Sequence, residues 1–220
     1  VFAIVTAAYA RGSHHKLALD GLKRLRGPDA DAWRRVFLKH AEVFVAAAKI
    51  PDDEFKDFKN HVLHPRDGYW GGAPVAARKW YYALVAELRA ENWEQAARAA
   101  GILSHYVVDP IHPFHTAQSE AENAIHRACE WSINRAFDSL RAEGEAAHGA
   151  LALAAPADPN WLTLMVGQGA DKSNAQYEKL IAHYDITRGV VDPPSGLDTV
   201  SRRIMAELVH YAGETFAVVL

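Results

Sequence analysis

One short stretch of the chain, residues 105–130, places strict demands on the fold. It holds four histidines, one aspartate and three glutamates within largely apolar sequence. His105 and Asp109 are four residues apart, and so are His126 and Glu130. Residues at this spacing share one face of a helix. Buried imidazoles and carboxylates need polar partners. The fold must therefore bring these groups to one another or to a bound ion.

Imidazole and carboxylate are the ligands that suit zinc and similar divalent ions. One pair at a spacing of four is usually only a contact on a helix surface. Here two pairs flank His115, which sits on a proline-rich connector. Ligands from facing helices of a bundle can hold a cluster of ions. The pattern therefore favours a metal site over two unrelated surface contacts.

The rest of the chain shows helical periodicity and no alternating strand pattern, repeat or linker. We predict an all-α, single-domain multi-helix bundle over residues 1–220 with a metal site in a cleft. Ser13 is the predicted N-cap of the first helix, Pro74 lies in the first turn of the third, and Asn92 with Gln95 resembles a capping box. The predicted helices cover residues 13–26, 31–50, 73–90, 93–109, 121–147, 160–184 and 200–220, with loops at 51–72 and 185–199.

The composition limits the possible partners and location of the protein. A net charge of -3 argues against binding dominated by nucleic-acid phosphates, so we expect no stable nucleic-acid partner. Cys129 is the single cysteine, so no internal disulfide can form. No apolar run reaches the ~20 residues of a transmembrane segment. The opening "VFAIVTAAYA" could be the tail of a signal peptide, but we take it as mature sequence. We expect a secreted or periplasmic protein.

The segment "SHYVVDPIHPFHT" followed by "HRACE" resembles the zinc-dependent phospholipase C family. The all-helical fold of that family is shared with the fungal single-strand-specific nucleases. Its pattern is His-x3-Asp, a histidine six residues after the aspartate, and then His-x3-Glu. His112 is not part of this pattern. The residues that match it are His105, Asp109, His115, His126 and Glu130.

The resemblance implies further metal ligands upstream. A histidine early in the first helix corresponds to His14, with His15 as the alternative. An aspartate at the end of the second helix corresponds to Asp52, with Asp53 as the alternative. A histidine in the polar loop corresponds to His61, which leaves His64 outside the set. The family also chelates through the amine and carbonyl of its first residue, a tryptophan in the family pattern. This chain has Val1 there.

The resemblance implies three Zn²⁺ ions and hydrolysis of a phosphoester. One ion would lie on Asp52, His61, His105 and Asp109. A second would lie on Val1, His14 and Asp109, so that Asp109 bridges two ions. The third would lie on His115, His126 and Glu130. Paired ions lower the pKa of a shared water towards 7. Asp52 is the candidate catalytic residue, as a general base or as the group that orients this water.

The expected substrate-binding residues are Phe58, Asp53, Tyr69 and Trp70. In the related phospholipases the choline site resembles a box of aromatic and acidic residues. Phe58 matches that box, whereas Ile4 replaces a glutamate and Asp53 replaces a tyrosine. Asp53 could supply the missing negative charge. Tyr69 and Trp70, in a glycine-rich loop, are expected to line the cleft, while Trp80 and Tyr81 are expected to pack between helices.

The resemblance favours a phospholipase C that acts on phospholipid at a membrane surface. It would release diacylglycerol and a phosphorylated head group, with broad head-group tolerance. One alternative is a single-strand-specific nuclease or nucleotidase of the same fold, for which the aromatic residues would stack bases. Another is a non-catalytic, metal-stabilised protein that binds lipid without cleaving it. The sequence gives no prediction of oligomeric state.

Overall fold

The computed structural model covers residues 1–220 and consists almost entirely of helices. The predicted all-α class is confirmed. Two strands of two residues each, β1 (Leu63–His64) and β2 (Trp70–Gly71), pair antiparallel. The α-helices are α1 (Phe2–Tyr9), α2 (Ser13–Arg24), α3 (Ala30–Lys39), α4 (Ala41–Ala47), α5 (Ala73–Arg89), α6 (Trp93–Val108), α7 (Glu120–His148), α8 (Trp161–Asn174), α9 (Tyr177–His183), α10 (Ile186–Gly189) and α11 (Thr199–Val219).

Helix α6 is the centre of the bundle. Every residue from Ala99 to Val108 is buried, and α2, α4, α5 and α11 all pack against this helix. The contact with α4 is especially close: a Cβ atom added at Gly101 would lie 2.2 Å from the carbonyl oxygen of Phe44. A glycine is needed for this close approach. One continuous apolar core extends from Val5 to Val219, as expected for a single bundle.

Two long helices of the sequence prediction are broken in the structure. The helix predicted over 31–50 is α3 and α4, because the backbone leaves the helical region at His40, where φ is -111° and ψ is 29°. The helix predicted over 160–184 is α8 and α9. It is interrupted after Asn174, whose buried amide donates to the carbonyl of Thr116 at 3.0 Å. The loop predicted over 185–199 contains the short helix α10. Periodicity continues across such breaks, so it could not reveal them.

The helix ends confirm some capping predictions and correct others. Pro74 lies in the first turn of α5, as predicted. Ser13 is the first residue of α2 rather than its cap; the His15 Nδ1 atom accepts the N–H groups of Arg11 and Gly12 at 3.2 and 3.1 Å. Asn92 is the N-cap of α6, but its amide donates to Glu87 and its side chain caps no backbone group. The predicted capping box is therefore wrong.

The ends of these elements converge on one region. A π-helical turn, Pro51–Phe55, and a 3-10 turn, Phe58–His61, follow α4. Two more 3-10 turns, Asp109–Ile111 and Pro113–His115, connect α6 to α7. Helix α2 packs against both α4 and α6, the helices from which these turns continue. No helix of the protein combines the length and apolar character needed to cross a bilayer.

The close approach at Gly101 gives a stability prediction. Gly101→Ala places a methyl group against the α4 backbone, so we expect a loss of about 1–3 kcal/mol in the free energy of unfolding. Gly167 is the matched control, since it is also helical and nothing lies within 4 Å of its added Cβ. Gly167→Ala should leave stability unchanged or slightly higher. Chemical unfolding followed by circular dichroism measures both, and equal effects of the two variants would contradict the close-packing account.

Candidate metal centre and cleft

All eight side chains that the sequence analysis selected as metal ligands meet in one region. They form three groups, and within each group the possible donor atoms lie within 4.8 Å of one another. His105 belongs to two of these groups. The first group joins His14 to Asp52 and His105, whereas the predicted ion on His14 used Val1 and Asp109. The groups are His14, Asp52 and His105; His61, His105 and Asp109; and His115, His126 and Glu130.

Asp109 belongs to the second group and also faces His14 of the first group. Its Oδ1 atom is 3.4 Å from His14 Nε2. Its Oδ2 atom is 3.0 Å from His105 Nε2 and 3.1 Å from His61 Nδ1. The carboxylate is almost fully buried. Its two oxygens thus face different histidines, which is the arrangement that a carboxylate bridging two ions requires.

The outward nitrogens of these histidines have their own partners. His105 Nδ1 lies 2.8 Å from the carbonyl oxygen of Ala48, to which it must donate. His61 Nε2 lies 3.3 Å from Asp57 Oδ1. When the rings are neutral, the inward nitrogens of His105 and His61 therefore carry a lone pair and no proton. These two atoms are only 3.0 Å apart and both face Asp109. Lone pairs and a carboxylate that converge in this way repel one another unless a cation or protons lie between them.

The pKa values follow from the same crowding. Burial of His105 favours its neutral ring, but the charge and hydrogen bond of Asp109, the charge of Asp52 and the Ala48 carbonyl together outweigh burial and raise the pKa of His105. Burial favours the protonated form of Asp109, but His105, His115 and His14 hold its pKa well below the usual range. Without a metal, protons must therefore occupy the space between these groups. A divalent cation satisfies the same donors, so the residues fit a metal.

The third group lies where the connector meets α7. His115 Nε2 and His126 Nε2 are 3.4 and 3.2 Å from Glu130 Oε1. The outward Nδ1 atom of His126 is paired with the buried carboxylate of Glu122. Burial of Glu130 favours its protonated form, but His115 and His126 hold its pKa well below the usual range. This third group therefore has the imidazole and carboxylate donors, and the negative charge of Glu130, that a further metal-binding position needs.

The two adjacent histidines of the first turn of α2 have different surroundings. His14 is stacked on His105, with ring centroids 3.9 Å apart. Burial, and then the charge of His105, lower the pKa of His14 to about 3, so the ring is neutral as a ligand must be. His15 instead uses its Nδ1 atom at the start of α2. This placement favours His14 as the ligand.

Asp52 and Asp53 also differ in their contacts with the cluster. Asp52 Oδ1 is 3.3 Å from His61 Nδ1 and 3.6 Å from His105 Nε2. Asp53 is exposed and belongs to none of the three groups. The structure therefore favours Asp52 as the ligand.

Two further histidines lie near the cluster but have other partners. His64 is paired with Asp67. His112 Nδ1 accepts the N–H of Phe114 at 3.2 Å. Burial, and then the charge of His115, lower the pKa of His112 to about 3. His64 and His112 belong to none of the three donor groups, in agreement with the sequence analysis.

Val1 is not joined to the cluster by any hydrogen bond or ion pair. It precedes α1 and is 81% exposed. Its carbonyl oxygen accepts the N–H groups of Ile4 and Val5, each at 3.1 Å, in the first turn of α1. The carbonyl is therefore already engaged in the helix. The structure does not bring the amine and carbonyl of Val1 to the cluster as a chelate.

A cleft of about 750 Å³ opens over the cluster. Asp52, His61, His115, His126 and Glu130 reach its wall, so the cluster is open to solvent on this side. Of the predicted substrate-binding residues, Phe58 lines this cleft and Trp70 lines its continuation. Asp53 and Tyr69 do not line either part; the Tyr69 hydroxyl donates to Asp171 at 2.9 Å. Trp80 and Tyr81 are partly buried against the core, as expected.

Sequence reasoning missed the residues that hold the ligands in place. Asp57 accepts a hydrogen bond from the Tyr106 hydroxyl at 2.9 Å and faces His61, while Glu122 faces His126. Both acids precede their histidine by four residues, so the spacing that revealed the ligand pairs could also have revealed them. Lys49 is paired with Asp52. Acids that orient metal-binding histidines are typical of such sites.

An all-helical bundle with clustered histidines and carboxylates beside an open cleft defines a metal-dependent protein with the ligand chemistry of zinc. The chain belongs to the zinc-dependent phospholipase C family. The pattern of the family described as "Zinc dependent phospholipase C" matches residues 13–180, well over half of the chain. A search of curated proteins by sequence found no match.

Two solved toxins share the fold. The alpha-toxin of Clostridium perfringens, from an avian strain, is 15% identical, with a TM-score of 0.70; the match covers 96% of this chain and 62% of the toxin. The alpha toxin of Clostridium absonum is 16% identical, with a TM-score of 0.64, covering 93% of this chain and 64% of the toxin. The chain therefore spans less than two thirds of the length of either toxin.

The pairing of Glu122 with His126 gives a prediction about metal affinity. Glu122→Gln weakens the hold on the His126 ring, so we expect zinc at this group to bind about 10- to 100-fold more weakly. Glu120, exposed at the start of the same helix, provides the control variant Glu120→Gln. Competition with a chromophoric chelator measures both affinities. Equal affinities for the two variants would remove Glu122 from the site.

Proposed function

We propose that the protein is a zinc-dependent phospholipase C. It hydrolyses glycerophospholipids at a membrane surface and releases diacylglycerol and a phosphorylated head group. The observation that carries this proposal is the convergence, in three groups, of eight side-chain donors, five of which reach the wall of one cleft. Membership of the zinc-dependent phospholipase C family supports the same reaction. A secreted or periplasmic location remains our prediction.

The three donor groups support three zinc ions. Asp52, His61, His105 and Asp109 would hold one, and His115, His126 and Glu130 another. His14 and Asp109 would contribute to a third. The remaining predicted ligand of this ion, Val1, is exposed and its carbonyl is bonded within α1. Bound zinc supplies positive charge for the phosphate and lowers the pKa of water. Asp109, with an oxygen towards each side, would join two of the positions.

The position of Asp52 at the cleft wall supports a role in holding water there. Burial favours its protonated form, but the charges of His105 and His14 lower the pKa of Asp52 below its usual value. Lys49 also holds one of its oxygens. A carboxylate with a lowered pKa is a weak base but a good hydrogen-bond acceptor. We therefore assign Asp52 the role of holding the attacking water towards phosphorus.

The access to the cluster argues against a purely structural metal site. Structural zinc sites are closed by protein ligands, whereas catalytic sites leave a position open for water or substrate. Here five of the eight predicted side-chain ligands reach the wall of the cleft. The open side leaves room for a phosphate group beside the cluster. This supports an enzyme over a metal-stabilised lipid-binding protein.

The aromatic residues give little support to a nuclease function. Stacking of bases needs aromatic faces that are free. Trp70 carries the Lys59 ammonium 5.8 Å from the centroid of its ring. The Tyr69 hydroxyl is bonded to Asp171, on α8. Neither residue lines the part of the cleft beside the cluster.

A side-by-side assay tests the proposed function. Phosphatidylcholine, phosphatidylethanolamine, phosphatidylglycerol and single-stranded DNA are offered to zinc-loaded protein, and the products are resolved by mass spectrometry. We expect diacylglycerol and a phosphorylated head group, with close to three zinc ions per chain by elemental analysis. Asp109→Asn should lose more than one ion and nearly all activity. Mononucleotides without diacylglycerol would establish the nuclease instead, and at most one ion without turnover would establish a structural site.

The charges around His115 predict that zinc binding releases protons. Burial favours the neutral ring of His115, but Asp109 and Glu130 outweigh it and raise the pKa of His115 to about 9. This ring is therefore protonated at pH 7 in the metal-free protein, and zinc must displace the proton to bind. Zinc affinity should rise with pH until about pH 9, the pKa of this ring. Calorimetry in two buffers of different ionisation enthalpy counts the protons released.

His115→Ala is the comparison for this measurement. It removes the group with the raised pKa, so the number of protons released should fall by about one. Heats that do not depend on the buffer in the unaltered protein would show that no proton is displaced. The charge assignment at His115 would then be wrong, although the ligand set could still stand.

A further inference from the structure

The cleft continues beyond the predicted metal ligands. An extension of about 340 Å³ shares Phe58, Val62, Phe114 and His126 with the main cleft and ends at Lys59 and Trp70. A phospholipid whose phosphate lies at the cluster must place its head group to one side and its glycerol to the other. The extension is a space into which a head group can reach from the cluster.

The charged groups that line the cleft and its extension are three acids and three cations. Each acid has a partner: Asp52 is paired with Lys49, Glu130 with His115 and His126, and Glu122 with His126. The two other cations, Lys59 and Arg127, are exposed and form no ion pair with a carboxylate. Glu122 is buried and Glu130 belongs to the ligand cluster, so the exposed charges of the cleft that form no ion pair are positive. Bound zinc would add to this positive charge.

One aromatic ring of the extension, Trp70, already carries one of these cations. The Lys59 ammonium lies 5.8 Å from the centroid of the Trp70 ring, within the distance at which a cation is attracted to an aromatic face. Recognition of a quaternary ammonium group depends on such a face being free. The protein's own lysine thus lies over the Trp70 ring and puts a positive charge in the space that a choline group would have to enter. Asp53, which could have offered a compensating negative charge, does not line the extension.

We propose that this cleft selects phospholipids whose head group carries no cationic group, of the phosphatidylglycerol type, over choline and ethanolamine lipids. Lys59 is the specificity-determining residue, because its charge repels a cationic head group and covers Trp70. A polyol head group can instead accept hydrogen bonds from the lysine. The proposal rests on the proposed phospholipase C activity and narrows its substrate class.

The test uses lipids with two six-carbon acyl chains, at concentrations where they are monomers. This removes attraction to a charged surface and leaves recognition of the head group. Zinc-loaded protein is given the glycerol, choline and ethanolamine lipids separately, and kcat/KM for diacylglycerol release is measured. We expect kcat/KM for the glycerol lipid to exceed that for the choline lipid by about two- to fivefold, the scale of one charge contact at a partly exposed site.

Variants then assign the preference to Lys59. Lys59→Glu reverses the charge and uncovers Trp70, so the ratio should fall to about one or favour choline. Lys59→Met keeps a long side chain without the charge and should fall between. Lys179 is exposed, forms no ion pair and lines no part of the cleft, so Lys179→Glu should keep the original ratio. Circular dichroism and zinc content verify that each variant is folded and loaded.

The outcomes separate the two levels of the proposal. Cleavage of all the lipids with choline equal or preferred overturns the head-group proposal and leaves the phospholipase C activity standing. A preference for the glycerol lipid that persists in both Lys59 variants overturns the role of Lys59. Cleavage of none of the lipids, while a simple aryl phosphodiester is hydrolysed, overturns both the head-group proposal and the phospholipase assignment.

Discussion

The site depends on one crowded contact, in which a buried carboxylate meets two ring nitrogens that can share a proton with it only when their rings are charged. Asp109 faces His61 and His105 at about hydrogen-bond distance, while the outward nitrogens of both rings already have acceptors. Burying these groups without compensation is costly. The site therefore requires positive charge at its centre. Protons supply that charge in the metal-free protein, and metal ions would supply it in the loaded protein.

The scaffold gives this contact a rigid side and an adaptable side. His105 and Asp109 are set by α6, which is buried over its last ten residues and held against α4 at Gly101. Asp52 and His61 come from short turns that follow α4. The hydrogen bond from Tyr106, on α6, to Asp57 connects the adaptable side to the rigid one. A ligand set built in this way can be precise although half of it lies outside long helices.

Helical periodicity and the spacing of four residues were sufficient to predict the all-α class and the two ligand pairs on α6 and α7, and the family resemblance extended them to the upstream side chains. Periodicity and spacing are local properties, which neighbouring residues on one helix determine. The break at His40, the engagement of the Val1 carbonyl in α1 and the placement of Lys59 over Trp70 were not predicted. Each depends on backbone conformation or on packing between segments, about which the pattern of residue types carries no information. Asp57 and Glu122 were accessible to the same spacing rule but were not sought.

The candidate ligands are drawn from distant parts of the chain, from His14 at the start of α2 to Glu130 in α7. The only cysteine, Cys129, is buried and unpaired. Ions held by these side chains would act as cross-links that close several long loops at once, the role that disulfides have in other proteins. Unlike a disulfide, such a cross-link needs no oxidant to form. It is undone by a chelator rather than by a reductant, so metal supply, and not redox state, would govern how long the folded chain survives.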